Sequence, residues 1–415
     1  MFLSNNLGMK HYLGGLFVLL FASLCFAQYE VKVTTIDVWV KVTDKSGQAV
    51  TGLKQSDFQL LEDGQPVQST CFEESALPKE ATPAAAPAPQ QSLPELPAKK
   101  FVIFLDLYNT SQPEFLYIRT KLLDFVKRFA SSNREIMLAG IRPDRNMGVF
   151  SPFTKDSAKI ESLIQQAQGN AFRDRSLDNH ETDLHRILTT GTAKGGLEEA
   201  VRSGYQMADS FAKEDAEVTK FSLNALQKFS SWLAKQSQTE HSIVLYVSGG
   251  FSVDPGRHYF DLVDHYVEDH REEIESPELT IHRQGINFDF RRTLEESIGR
   301  LNRLNITLYT INTRGLIVSD PDISKTGMTR TAIDLQTARE YGDSLDVIAE
   351  ETGGISFSNS QNFKLGFNNV VQDLDHQYLL CYNAPGHKEE GKYHKITVAV
   401  KGSDAEIRHR SGYLD

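Results

Sequence analysis

The sequence predicts an α/β protein: a doubly wound, mostly parallel six-stranded sheet, inserted into a small β-sandwich-like unit that both chain ends build. Three observations carry this. Short apolar runs alternate with amphipathic, helix-length segments from Phe101 to Leu374. The stretches before Phe72 and after Tyr378 hold strand patterns only, and each is too small to enclose a core of its own. Finally, Phe101–Leu105 is apolar at every position, as a strand buried on both faces is.

The chain opens with Lys10 and His11 before the apolar run Leu13–Phe26, which ends at Ala27. A charged start, a short apolar stretch and a small residue read as a secretory signal over residues 1–27, with cleavage after Ala27. The run is short for a membrane span, so no transmembrane segment is expected after its removal. An uncleaved anchor is one alternative; lipidation at Cys25 is another, disfavoured by Leu24 before it.

Residues 28–74 form an N-terminal β-unit. Val31 and Val33 lie in one alternation phase and Ile36, Val38, Val40 and Val42 in the other, which predicts a β-bulge at Thr34–Thr35. Phe58–Leu61 and Val67–Phe72 are further strands, joined through Glu62-Asp63-Gly64. Residues 75–99 are rich in Pro and Ala and cannot bury much apolar surface, so they read as a linker.

From residue 100 to 376 strands and helices alternate. Strands are expected at Phe101–Leu105, Ile136–Ile141, Met147–Phe150, Ile243–Val247, Ile306–Ile311 and Ile355–Phe357. Helices are expected at Pro113–Ala130, Lys155–Gln168, Leu197–Lys235 with breaks, Thr293–Leu304, Ser344–Glu351 and Phe363–Leu374. Phe115, Ile118, Leu122, Phe125, Val126 and Phe129 mark the buried face of the first helix, which Ser111 or Gln112 caps. The short turn before Met147 makes that strand antiparallel. Residues 377–415 return to strands: Tyr378–Tyr382, Tyr393–Val400 and Ala405–His409.

The formal net charge of −11 argues against nucleic acid as a partner. There is no Gly-x-Ser-x-Gly, no His-Glu-x-x-His and no phosphate-binding glycine loop. Ser210-Phe211-Ala212-Lys213 and Lys325-Thr326-Gly327 echo serine-acylation motifs but lack the third element between them. His258, His265 and His270 lie among acidic residues, in a pattern that fits a solvated helix better than a metal cluster.

Several segments, in order, resemble the von Willebrand factor type A-related proteins of the acidobacterial type: VTGLKQSDFQLLEDG (50–64), IVLYVSGGF (243–251), LNITLYTINTRGL (304–316), AEETGGISF (349–357), QDLDHQYLLCY (372–382), GKYHK (391–395) and RSGYL (410–414). The resemblance implies a sheet in the strand order third, second, first, fourth, fifth, sixth. It also implies a divalent-cation site at the carboxyl edge, with an Asp-x-Ser-x-Ser loop, a second-loop Thr and an Asp after the fourth strand. Asp106 fits the first position, with Tyr108 and Thr110 at the next two and Asn109 beside them. Ser248-Gly249-Gly250 follows the fourth strand, so Ser248 is present and the second acid is missing. The second-loop Thr has no clear place; Thr190 and Thr192 are near Gly195, which occupies it. Asp106, Asn109, Thr110 and Ser248 are therefore the candidate ligands of a degenerate site, with magnesium the ion that oxygen donors would suit. The alternative is that Asp106 only bonds its own loop.

The implied function is that of an exported, periplasmic or secreted, non-enzymatic interaction module whose partner is a protein or a cell-envelope component. A metal-dependent adhesion module with a working site and a cell-envelope hydrolase are the competing readings. The long segments 254–291 and 315–342 leave the same edge of the sheet as Asp106 and offer a partner surface. Type A termini lie close together, which would bring both β-rich ends to one place. Cys71 and Cys381 then fall on strands that face or adjoin each other, either as a disulfide or as two buried thiols.

Overall fold

The computed structural model describes residues 34–76, 100–130, 134–171, 173–237, 241–274, 288–314, 332–357, 363–384 and 391–415. The signal segment 1–27, residues 77–99 of the linker, and most of 315–342 lie outside the described residues.

Six strands form the central sheet: β5 (Lys100–Asp106), β6 (Ile136–Ile141), β7 (Met147–Thr154), β8 (Ser242–Ser248), β9 (Ile306–Asn312) and β10 (Ser356–Phe357). Their order is β10-β9-β8-β5-β6-β7, parallel throughout except for β7, which runs antiparallel to β6. This is the order the resemblance implied. Strand β5 is central, and Phe101–Leu105 are at most 1% exposed. Alternate side chains serve two cores. Phe101, Ile103 and Leu105 pack with α1 (Gln112–Ala130), α2 (Ser157–Gln166) and α8 (Phe363–Asp375). Val102 and Phe104 pack on the other face, against the second half of α4 (Leu197–Ser237), α6 (Arg291–Arg303) and α7 (Ala332–Glu351). The apolar stripe read on α1, from Phe115 to Phe129, is buried as expected.

Helix α4 has 41 residues and no break, against the interrupted segment expected at Leu197–Lys235. Gly204 sits inside it because a Cβ there would press on Leu188 Cδ2 of α3 (Arg173–Gly195). The first half of α4 packs with α3 and α5 (Arg257–Asp269) around Leu184, Leu188, Val201, Tyr259 and Val263. This three-helix cluster grows from the carboxyl side of the sheet, since α5 follows β8. Part of the segment expected as a long surface loop is thus a packed helix. His258 is buried in it, while the Nδ1 atoms of His265 and His270 bond the carbonyls of Asp261 and Tyr266 one turn earlier.

Both chain ends build two four-stranded antiparallel sheets. One contains β1 (Thr34–Thr43), β4 (Ser69–Ala76), β11 (His376–Ala384) and β13 (Glu406–Arg408), in the order β13-β1-β11-β4. The other contains β2 (Phe58–Glu62), β3 (Gln65–Pro66), β12 (Tyr393–Val400) and β14 (Gly412–Leu414), in the order β14-β12-β2-β3. They share one core of Val38, Val40, Phe58, Leu60, Tyr378, Leu380, Ile396 and Val398. Strand β1 keeps one register with β11 from Thr34 to Val40, and Val31 and Val33, whose phase suggested a bulge at Thr34–Thr35, lie outside the described residues; the β11–β4 ladder shifts register between Cys381 and Tyr382. Strand β4 continues through Ser75 and Ala76, the first two residues of the expected linker. Cys71 and Cys381 are paired residues of β4 and β11 and are joined by a disulfide, with their Cα atoms 4.9 Å apart.

The β-unit meets the central sheet at the amino-terminal edge, where the helices that return from the strands end. Trp39 stacks on His241 just before β8, at 4.8 Å between ring centroids. Arg410 donates to the carbonyls of Asn302 at the end of α6 and of Asp37 on β1. The deepest contact is at Asp373 of α8. Its Oδ2 accepts from Arg408 Nη2 (2.7 Å) and Tyr309 Oη (3.0 Å), and Lys41 Nζ lies 3.4 Å from its Oδ1. Lys41 is 3% exposed and also donates to the carbonyls of Gln372 (2.7 Å) and His376 (2.5 Å). Among the described residues no helix is long and apolar enough to cross a membrane.

Burial pulls the Lys41 ammonium down from the ordinary 10.5 to about 8, even though Asp373 opposes the shift. Between those two values the unfolded chain holds one proton more than the folded chain. The Lys41 contribution to stability therefore rises with pH through that window and is lost as pH falls through 8. Denaturant unfolding of the wild type and Lys41→Met should show the wild type gaining about 3 kcal/mol on the variant across this window. A gap that does not change with pH would contradict it.

Candidate functional site

Asp106 ends β5 at the carboxyl edge of the sheet and is 0% exposed. Its Oδ2 accepts from Asn109 Nδ2 (2.7 Å), Tyr246 Oη (2.8 Å) and Ser248 Oγ (2.9 Å). Its Oδ1 accepts from the backbone N–H of Asn109 (3.1 Å). Four donors from its own chain thus hold this carboxylate, three of them on Oδ2 and one on Oδ1. The cost shows at Tyr246, whose hydroxyl burial and the Asp106 charge push far above the usual phenol value.

The neighbours extend this network. Asn109 Nδ2 also donates to Ser222 Oγ on α4 (2.8 Å). Ser248 Oγ accepts from the Gly250 N–H (3.0 Å), and the Ser248 carbonyl accepts from the Thr313 N–H (2.9 Å). Thr110 is buried, and Thr313 Oγ1 approaches its hydroxyl at 3.5 Å. All four residues singled out from the sequence, Asp106, Asn109, Thr110 and Ser248, are therefore brought together. Tyr108 is not. Its ring leaves the cluster for the α4 face of the sheet, edge-on to Phe221, with Arg145 donating to its hydroxyl (2.8 Å). Thr190 donates to the carbonyl of Arg186 within α3 (2.7 Å) and, among the described residues, is not part of the Asp106 cluster; the Thr192 side chain lies outside the described residues.

Two residues of the cluster were not read from the sequence. Glu114 is 1% exposed; its Oε2 accepts from the Ser111 N–H (2.9 Å) and Thr313 Oγ1 (3.3 Å), while Ser111 Oγ accepts from the Glu114 N–H (3.4 Å). That reciprocal pair is a capping box at the start of α1, and Ser111-x-x-Glu114 was its sequence signal. Thr313 follows β9, where no motif marked it.

The missing second acid has a steric cause. A Cβ on Gly249 would overlap the carbonyl oxygen of Asn109, and one on Gly250, at φ 76°, would overlap that of Tyr341. The same Cβ at Gly249 would lie 3.4 Å from Glu114 Oε2, so a carboxylate already stands beside this turn, supplied by α1. Restoring an acid with Gly249→Asp is therefore expected to lower stability by about 1–3 kcal/mol, as overpacking does, without conferring magnesium binding. Denaturant unfolding together with magnesium calorimetry checks it. A stable, magnesium-binding variant would show that the turn can yield.

Chemically, the cluster offers hydroxyls that bond carboxylates or backbone. Among the described residues Thr110, Ser222, Ser248 and Thr313 make no contact with a histidine that would serve as a base. Next to it, Arg314 is 6% exposed and lies over the Tyr341 ring (4.4 Å to its centroid), and the Tyr341 hydroxyl donates to Asp215 (2.7 Å).

No family model matches the chain, and no curated protein matches it. Among solved structures, the crystal structure of an aerotolerance-related membrane protein from Bacteroides fragilis NCTC 9343, with multiple mutations to serines, is similar at 10% identity and a TM-score of 0.30. The match covers 66% of this chain and 98% of that one.

Proposed function

We propose that this chain is an exported, non-enzymatic interaction module: a von Willebrand type A-like domain on a β-platform made by both chain ends, with a degenerate cation site and a protein or cell-envelope partner. The observation that carries the reading is the convergence of three buried donors on Asp106 Oδ2, with a fourth on Oδ1. A magnesium ion takes six oxygens in near-octahedral geometry. An ion on Oδ2 would displace donors from Asn109, Tyr246 and Ser248, and the buried Tyr246 hydroxyl would lose its bond to Asp106. On this reading the cluster stiffens the edge of the sheet, and recognition falls to the loops above it. The strand order and the segment-by-segment resemblance support the type A-like assignment. The absence of a base near any cluster hydroxyl, among the described residues, supports the non-enzymatic one.

A second reading, a working cation site, has Glu114 in its favour as a second buried carboxylate. Asn109 Oδ1 adds to it, being buried with no hydrogen-bond partner. Capture of partners from envelope extracts, with and without chelator, separates the two. The first reading expects the same captured protein in both arms. Capture that disappears with chelator and returns with magnesium supports the second.

A further inference from the structure

We propose that Glu62, Asp63 and His394 form a binding site for one divalent transition-metal ion, of the zinc type, on the β-unit. Among the described residues they are the one group whose ligand atoms converge, all within 4.8 Å of one another. The group is remote from Asp106: Glu62 ends β2, Asp63 follows in the turn to β3, and His394 lies on β12. Strands β2 and β12 are paired, with Ile396 opposite Glu62. His394 points inward in line with Ile396, Val398 and Val400, so an imidazole occupies a core position of a β-strand. The His394 side chain is 2% exposed and that of Glu62 4%, whereas Asp63 is 39% exposed and opens the site to solvent.

The arrangement around the ring is directional. Nδ1 faces Asp63 Oδ2 (2.9 Å) and Glu62 Oε1 (3.7 Å). Nε2 faces Asp415 Oδ2 (3.4 Å), whose other oxygen accepts from the Lys392 N–H (2.7 Å). Asp63 is likewise anchored by its second oxygen, which accepts from the Lys395 N–H (2.9 Å). One nitrogen thus looks at two carboxylates on the open side, and the other at a fixed carboxylate behind. A metal-bound histidine has the same layout, with the ion on one nitrogen and an outer carboxylate orienting the ring through the other. One nitrogen and two carboxylate oxygens suit zinc, manganese or iron(II) rather than calcium. Two carboxylates also match a 2+ charge; Glu62 is fixed from behind by the Tyr413 hydroxyl, which donates to its Oε2 (3.4 Å), and Lys392 Nζ lies 3.9 Å from Asp63 Oδ2. A bound ion would tie the β2–β3 turn, β12 and the residue after β14 into one corner. Asp63, the exposed member, would make the small swing needed to open Nδ1.

The test is calorimetry of the full chain with zinc chloride, and cobalt(II) spectroscopy of the same protein. The expected result is saturable uptake of one ion per chain, with a cobalt spectrum showing nitrogen and oxygen donors. Asp63→Asn, at a half-exposed position that leaves the core untouched, should weaken binding at least about tenfold, and His394→Gln should abolish it. Asp415→Asn should weaken it by about 10–100-fold. No saturable uptake, or uptake equal in the wild type and the folded Asp63→Asn variant, overturns the proposal. In that case the ring acts only as a hydrogen-bonded link among three carboxylates.

Discussion

Asp373→Asn is expected to lower the unfolding free energy by about 3–5 kcal/mol, because it removes the one carboxylate that Lys41 and Arg408 share in a buried joint. The substitution keeps the shape of the side chain while removing its charge and one acceptor oxygen. Lys41 has a side chain 3% exposed and Arg408 one 20% exposed, so water does not replace the lost partner well. Tyr309 Oη would keep an oxygen to donate to, but the amide brings two N–H groups against cations. The joint connects β9 of the central sheet, α8, β1 and β13, so the transition should stay cooperative while shifting to lower denaturant. A double-mutant cycle with Lys41→Met should show strong coupling, since the second change removes one of the stranded cations. A loss under about 1 kcal/mol would mean that the joint is wetter than its burial indicates.

The second large effect belongs to the disulfide. Cys71 and Cys381 are 310 residues apart, and they sit directly opposite each other on neighbouring strands. Closing so long a loop restricts the unfolded chain strongly; replacing both cysteines by serine is expected to cost about 2–5 kcal/mol. The effect should appear first in the β-unit, because β4 and β11 come from opposite ends of the chain and their pairing is what the bond fixes. Hydrogen exchange in the double-serine variant should show lost protection on β4 and β11 before the central sheet responds. Equal loss across both units would indicate one inseparable cooperative block. A non-reducing peptide map in which both cysteines alkylate fully without reductant would contradict the bond itself.

The parts of the fold legible in sequence were those with one dominant signal. Phe101–Leu105 has no polar residue and could only be a strand buried on both faces. The stripe Phe115–Phe129 fixed the face of α1. Less legible were elements whose signal comes from a neighbour. Helix α3 is largely polar, and among its described side chains Leu184 and Leu188 are buried and Ile187 partly so, too narrow a stripe to read alone. The breaks expected in Leu197–Lys235 do not occur, and Gly204 within it is a contact point for α3. At the site, the loop residues Asp106, Asn109 and Thr110 and the strand-end Ser248 were picked out by the pattern that the type A resemblance implies. Glu114 and Thr313 were not, because what brings them in is a helix cap and a third strand end rather than a spacing rule. Tyr108 fits the motif by position and leaves the site by packing. His394 gave no signal because its meaning depends on Glu62 and Asp63, more than 300 residues away.

The central claim is that Asp106 is held by its own chain and does not hold a cation. Magnesium calorimetry on the wild type and on Asp106→Asn, at equal protein concentration, tests it most directly. The account predicts the same heats for both proteins, with no stoichiometric binding that depends on residue 106. A saturable, chelator-reversible magnesium heat in the wild type that Asp106→Asn abolishes would contradict it.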